Sequence, residues 1–281
     1  MNSMNRRHIA RETLDALQRG SYSIPEGETL ELAAWQQAAE QGSVLHQPAD
    51  VPQLLQLFEQ AANEPAEIRV YQATTLEAVT KLAAEFERVG CLNFASARNP
   101  GGGFLGGSQA QEESLARSSG LYPCLMQFRE MYDHNTNTAR TGLYSDYAIY
   151  SPSVPVFRDD AGKWLPQPLQ VDFITSPAVN AGALSRNNPE LLPQLVPTMQ
   201  RRIRQVLGIA ALHKCEVLVL GAWGCGVFQN DPHQIARLFA EALAEPGIRG
   251  RFRRLDFAIF DPKPPHPTLE AFQQELQSIM G

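Results

Sequence analysis

Apolar positions along the 281-residue chain recur with helical and strand periods in turn. Ile9, Leu14 and Leu17 share one side of a helical wheel and predict a helix over residues 5–18. A turn is expected at Pro25-Glu26-Gly27, and residues 29–41 are ambiguous between strand and helix. Leu54, Leu55, Leu57 and Phe58 predict a short helix after Pro52. The pattern then becomes regular. Residues 67–72 (EIRVYQ) alternate as a strand, and Leu76, Val79, Leu82 and Phe86 predict a helix over 75–88 with Gly90 as its stop. Residues 91–95 read as a strand opening into a glycine-rich loop, with helices expected over 110–118 and 123–132. Residues 148–157 read as an extended pair broken by prolines, with a turn at Asp160-Ala161-Gly162. A strand at 169–175 and a mainly helical stretch at 189–214 follow. Residues 216–220 (EVLVL) are a buried-type strand leading into a second glycine-rich loop and a helix at 232–244. A strand at 255–260 and a helix at 268–280 complete the pattern.

Strands alternating with helices predict a layered α/β sheet with helices on both faces. Binding loops then gather at the strand C-terminal ends. Residues 1–60 are expected to be an extension packed on a core formed by 61–281.

Composition narrows the function classes. With 43% apolar and 19% charged residues the chain is ordinary globular material. No apolar run approaches the ~18 residues of a membrane span. The N-terminus lacks the apolar core of a secretory signal, so a soluble, cytoplasmic protein is expected. The net charge of −6 argues against a protein that coats DNA or RNA. It leaves room for an anionic ligand held by uncharged backbone N–H groups. Cys91, Cys124, Cys215 and Cys225 form no CxxC pair, which disfavours zinc, redox and disulfide frameworks and suggests buried or loop thiols. His134 reads as surface loop chemistry, and His213, His233 and His266 show no metal-binding spacing. Ser114, Ser118 and Ser119 lack a nucleophile-elbow context. Arg201, Arg202 and Arg204 read as a solvated helix face, and Trp164 and Trp223 as packing residues.

The candidate chemistry lies in the two loops. Gly101-Gly102-Gly103-Phe104-Leu105-Gly106-Gly107 holds five glycines in seven residues, removing side chains that would keep a ligand from the main chain. Gln111, Glu112 and Glu113 follow in the first turn of a helix. Acidic residues are favoured there by the helix dipole alone, and a lowered carboxyl pKa suits a general acid poorly. Their place at the mouth of a ligand loop gives them a second meaning. Side chains ~100° apart face different atoms, so one carboxylate can hold a hydroxyl while the other moves a proton. The second loop, Gly221 to Asp231 (GAWGCGVFQND), joins strand to helix N-terminus and forms an anion site. It lacks the lysine of a P-loop, so phosphate is bound there and not transferred. Phe228 fits either a stack on a base or sugar or a plug beneath the loop.

Gly101-Gly102-Gly103, seven residues, then Gln111-Glu112-Glu113 resembles the GGG-x(6–8)-QEE signature of poly(ADP-ribose) glycohydrolases, and the surrounding sequence resembles the microbial-type branch. The second loop is similar in type and order to that family's diphosphate-binding loop. The resemblance implies a three-layer α/β/α macrodomain with a mixed central sheet. It implies hydrolysis of ribose–ribose O-glycosidic bonds in poly(ADP-ribose), on ADP-ribosylated proteins, with release of ADP-ribose and without metal or cofactor. Glu113 would be catalytic and Glu112 would hold a ribose hydroxyl. Gly101, Gly102, Gly103, Gly224, Cys225, Gly226 and Val227 would wrap the diphosphate, Phe228 would pack on a ribose, and Asn99 and Gln111 would complete the ligand contacts. A non-catalytic ADP-ribose-binding module and a mono-ADP-ribosyl hydrolase are the alternatives.

Overall fold

The computed structural model describes residues 1–25, 27–59 and 64–280. It opens with helix α1 (Ser3–Arg19), whose Asn2 side chain accepts from Asn5 N–H and whose Gly20 closes it at φ +77°. Strands β1 (Ser21–Ser23) and β2 (Thr29–Glu31) pair antiparallel around the expected turn, of which Glu26 lies outside the described residues. The ambiguous stretch resolves into β2 followed by α2 (Ala33–Gly42). Strand β3 (Val44–His46) and helix α3 (Val51–Gln56) come next.

The regular part follows as β4 (Glu67–Gln72), α4 (Thr75–Ala83), β5 (Val89–Phe94), α5 (Gln111–Ser118), α6 (Leu121–Met126) and α7 (Arg129–Asn137). Strands β6 (Ala148–Arg158) and β7 (Trp164–Ser176) form a long hairpin turning at Asp160-Ala161-Gly162. Helices α8 (Ala181–Asn187) and α9 (Leu195–Leu212) lead to β8 (Val217–Leu220). Helices α10 (Pro232–Leu243) and α11 (Pro246–Arg249), strand β9 (Arg254–Ile259) and helix α12 (Pro267–Leu276) end the fold.

Seven strands make one mixed sheet in the order β3-β6-β7-β5-β8-β9-β4. The five strands from β7 to β4 are parallel neighbours, while β3, β6 and β7 pair antiparallel. Alternation along each strand feeds two cores. Cys91, Phe173, Val217 and Val219 face a cluster with residues of α2, α4, α5, α6 and α7. Leu92, Ile174, Leu218, Leu220, Leu255 and Phe257 face another with α3, α8, α9, α10 and α12. The three-layer α/β/α architecture expected from the sequence is the one observed.

Several boundaries differ from the expectations. The predicted 75–88 helix ends at Ala83; Phe86 keeps its apolar contact from a turn beyond the helix. Gly90 is no helix stop but an interior residue of β5, where a Cβ would meet Cys215 Sγ at 2.9 Å. The predicted 123–132 helix is two helices, α6 and α7. Residues 148–157 form one strand: Pro152 falls within a register shift between Ser151 and Val154, with Ser153 at φ +47°, and Pro155 stays in register opposite Gln170. Arg202 is fully buried, contrary to a solvated face: it donates to Asp146 at 2.8 Å and to the Pro177, Leu143 and Tyr144 carbonyls. His134 lies on α7 with its ring against Tyr147, not in a loop. Trp164 stacks on Tyr22, and Trp223 is buried. The expected boundary between residues 60 and 61 lies outside the described residues; on its N-terminal side, β3 is an edge strand of the main sheet.

Candidate active site

The carboxyl ends of the parallel strands converge on one cleft of about 570 Å³. Its lining comes from Thr75 after β4, Phe94 to Ser96 after β5, Ala178 after β7, Ala222 to Phe228 after β8, and Phe260 after β9. Asn99, Gly102 and Gly103 from the first loop and Gln109 to Glu113 at the start of α5 complete it. The two glycine-rich loops therefore face a shared space. Among the described residues no Lys, Arg or His lines it, whereas Glu112 and Glu113 do. An anion entering here meets uncharged donors, not cations.

Helix α5 begins without a side-chain cap, Ala110 being extended at φ −149°, so its first N–H groups are free for other acceptors. Its first three side chains diverge. Gln111 turns back on β5: its Oε1 accepts from Phe94 N–H at 2.9 Å and its Nε2 donates to the Leu92 carbonyl at 2.8 Å. Both ends of the amide are thus engaged by the strand, and Gln111 locks the helix start to β5 while lining the cleft. Glu112 is 3% exposed. One of its oxygens accepts from Ser96 N–H at 2.6 Å and the other from Asn93 Nδ2 at 3.3 Å. Burial pushes its carboxyl up to about 8, and the neighbouring Glu113 adds to the rise, against the Ser96 and Asn93 hydrogen bonds that favour the anion. The helix dipole expected to lower this carboxyl is outweighed by desolvation. Glu113 is half-buried and accepts from Gly103 N–H at 3.0 Å.

Gly102 explains the triplet. It takes φ +59°, and a Cβ there would collide with the Glu113 carboxylate and stand 3.3 Å from Glu112 Oε2. Only a glycine lets the loop lie across both acids. Gly101 has φ +68° and does not itself line the cleft. Asn99 is exposed on the cleft wall, and its carbonyl accepts from Gly102 N–H at 2.9 Å.

The second loop is anchored from below. Trp223 Nε1 donates to the Ser176 carbonyl at 3.2 Å, and Asn230 Nδ2 donates to the Val179 and Gly224 carbonyls at 2.8 and 3.0 Å. Gly224, at φ +77°, sits where a Cβ would press on Asn230 and Ala178. At Gly226 a Cβ would meet nothing within 4 Å, so that face of the loop is open. Cys225 is half-buried, Val227 is 78% exposed, and Phe228 is half-buried near Tyr144, with ring centroids 6.0 Å apart. Phe228 therefore combines a core contact with a cleft wall.

The structure brings all the expected residues except Gly101 to the cleft lining. No candidate role follows from sequence for Asn93, Ser96, Phe260 or Thr268, nor for Asn230 within the second loop, all of which support or line the cleft; for Phe260 the useful signal is its position one residue past a parallel strand. Among the described residues no group of three His, Cys, Asp or Glu side chains is arranged to hold a metal ion, and no helix is long and apolar enough to cross a membrane.

A family model described as microbial-type PARG, catalytic domain, matches residues 10–159. The poly(ADP-ribose) glycohydrolase from Thermomonospora curvata is 43% identical, superposes with a TM-score of 0.92, and shares 97% of this chain and 99% of its own. The same enzyme bound to the inhibitor ADP-HPD superposes with a TM-score of 0.89 at 43% identity, over 96% of this chain and 99% of that one. The glycohydrolase from Deinococcus radiodurans in complex with ADP-ribose is 44% identical with a TM-score of 0.84, over 90% of this chain and 100% of that one. No curated protein sequence matches the chain. A glycine loop laid across two adjacent glutamates, a second main-chain cradle opposite, and these likenesses over nearly the whole length agree: the chain belongs to the microbial-type poly(ADP-ribose) glycohydrolase family.

Proposed function

We propose that Glu113 is the general acid and base with which this glycohydrolase cleaves the ribose–ribose O-glycosidic bonds of poly(ADP-ribose). The observation that carries this reading is that Gly102, by lacking a side chain, brings the phosphate-type loop into contact with both acids in one cleft. Gly101 to Gly103 and Gly224 to Val227 wrap the diphosphate, with N–H groups of the second loop as its main-chain donors, because Gly102 and Gly103 N–H are engaged by the Asn99 carbonyl and by Glu113. Phe228 lies against a ribose, and Asn99 and Gln111 at the wall. Glu112, fixed by Ser96 and Asn93, holds a hydroxyl of the ribose to be cleaved. Protonated Glu113 gives its proton to the departing 2′-oxygen of the neighbouring unit as the anomeric C–O bond breaks. Positive charge growing on the anomeric carbon is stabilised by the adjacent diphosphate. The Glu113 carboxylate then takes a proton from the water that adds to that carbon, which restores the acid and releases ADP-ribose. A single carboxyl does the proton work, unlike the paired carboxylates of most glycosidases. The step as drawn needs no metal or cofactor.

The substrate in this reading is poly(ADP-ribose) carried on modified proteins. DNA and RNA are not expected partners of a chain with net charge −6. Four free cysteines, three of them buried, fit a reducing compartment such as the cytoplasm. Residues up to 59 are read as an extension that joins the catalytic unit through β3.

Replacing Glu113 by Gln tests the assignment. Turnover of purified polymer should fall by about 10²–10⁴-fold, the contribution of a general acid or base, with ADP-ribose affinity retained within a few-fold. Full activity in that variant would remove Glu113 from the mechanism.

A further inference from the structure

Helix α1 lines no part of the cleft, yet it rests on the back of the glycine-rich loop. Arg6 Nε donates to the Gly107 carbonyl at 2.7 Å, and its Nη1 donates to the Met1 carbonyl at 2.6 Å. Gly107 takes φ +80°, and a Cβ there would collide with the Ser3 carbonyl and stand 2.7 Å from Ser3 Oγ. The first turn of α1 is thus pressed against the loop. Behind it, Ala10, Phe104 and Ala116 form a buried cluster linking α1, the loop and α5. Thr13 Oγ1, fully buried, donates to the Arg117 carbonyl at 2.6 Å, and Arg117 Nη1 donates to the Ser108 carbonyl at 2.7 Å. Gly107 and Ser108 do not line the cleft, whereas Gly102, Gly103 and Gln109 do.

A short chain of hydrogen bonds runs from Arg6 to the catalytic acid. The Gly107–Ser108 peptide unit accepts from Arg6 through its carbonyl and donates through Ser108 N–H to the Gly103 carbonyl at 3.2 Å. Gly103 N–H donates to Glu113 Oε1 at 3.0 Å. A charged donor on the Gly107 carbonyl strengthens the donation from Ser108 N–H in the same peptide unit. Gly103, held by that bond at its carbonyl, passes the constraint to Glu113 through its position. A segment with left-handed glycines at 101, 102 and 107 gives up much conformational freedom when ordered, and ties from outside hold it in one shape.

We propose that Arg6 is a positioning residue for the hydrolysis: from α1 it fixes the Gly107–Ser108 peptide unit, and through Gly103 it sets both the loop that grips the diphosphate and the placement of Glu113. The inference rests on the reading of the cleft as an ADP-ribose site. It gives the first turn of α1, which carries no motif, a part in holding the loop.

The test uses the full chain with Arg6→Ala, Arg6→Lys and, as a control on the same helix, Arg11→Ala, whose side chain is exposed. Steady-state kinetics on poly(ADP-ribose), calorimetric affinity for ADP-ribose and Tm are measured for each. Loss of a charge-assisted bond predicts that Arg6→Ala raises KM and the ADP-ribose Kd by about tenfold and lowers kcat, at nearly unchanged Tm. Arg6→Lys should recover most of the loss, because an ammonium also donates to the carbonyl, and Arg11→Ala should match wild type. Wild-type KM and Kd in Arg6→Ala would overturn the proposal. So would a fall in kcat and Tm alone, which marks a loss of folded molecules. Wild-type enzyme that bound no ADP-ribose would overturn the reading of the cleft itself, and the role of Arg6 with it.

Discussion

Glu112 and Glu113 are neighbours in sequence with opposite surroundings. Glu112 is enclosed and its carboxyl rises from its ordinary 4.5 to about 8, while Glu113 meets the cleft beneath Gly103 N–H. The raised value is a statement about stability. Between pH 4.5 and 8 the folded enzyme keeps a proton on Glu112 that the unfolded chain has released. Stability linked to this group is therefore fully present at low pH and falls by about 1.4 kcal/mol per pH unit across that window, then levels. Glu112→Gln should remove this slope, so that urea unfolding at pH 5.5 and 8 shows the variant gaining on wild type as pH rises. An unchanged difference between the two proteins would place the Glu112 proton elsewhere. At this scale the sequence is informative where chemistry leaves a compact mark, as in the glycine triplet and the paired acids. Asn93 and Ser96 are ordinary polar residues near a strand end, and their grip on Glu112 exists only after β5 and α5 have packed. Arg202 shows the converse: three arginines on one helix look solvated until Asp146 and three carbonyls close over one of them.

Elements were legible to the extent that one period ran from start to finish. The strand at residues 67–72 and the helix after residue 110 follow directly from alternation and from the break after the loop. The spacing at Phe86 continued the α4 pattern past the end of the helix, because a turn residue and a helical residue can bury into the same core. The three shortest strands, β1, β2 and β3, have three residues each and too few positions to display a period. What α4 does carry is a reciprocal cap: Thr74 Oγ1 accepts from Glu77 N–H at 3.1 Å, and Glu77 Oε2 accepts from Thr74 N–H at 2.8 Å. Thr74→Ala should cost about 1 kcal/mol of unfolding free energy, the usual worth of such a cap. Urea titration measures it, and kcat on the polymer should stay at the wild-type level. A loss of several kcal/mol would show that the contact of Thr74 with Asp160, across to the β6–β7 hairpin, matters more than the cap.

The molecule as a whole handles an anionic polymer with an acidic chain. Its charge of −6 and a cleft without lining cations leave uncharged main-chain and side-chain groups as the available donors. A binder that neutralises phosphates with Lys or Arg loses affinity steeply with salt, with a logarithmic slope of about −0.9 per contact on duplex DNA. ADP-ribose binding here should follow a slope of magnitude below about 1 between 50 and 300 mM salt in calorimetric titrations. A steeper dependence would mean that side-chain cations dominate the grip. The layered fold was legible from the order of strands and helices, and the strand-end rule points to the end of the sheet where both glycine-rich loops line one cleft. The full cleft was not, because its walls come from residues 75 to 268 and meet only when the parallel strands align their carboxyl ends. The most direct measurement of the central claim is a crystal structure with ADP-ribose bound. The account predicts a diphosphate enclosed between the two glycine loops, with its oxygens within hydrogen-bond distance of N–H groups in residues 224–227, and the Glu113 carboxyl within hydrogen-bond reach of the oxygen on the anomeric carbon. A diphosphate seated away from either loop, or a Glu113 carboxyl turned from that carbon, would contradict it.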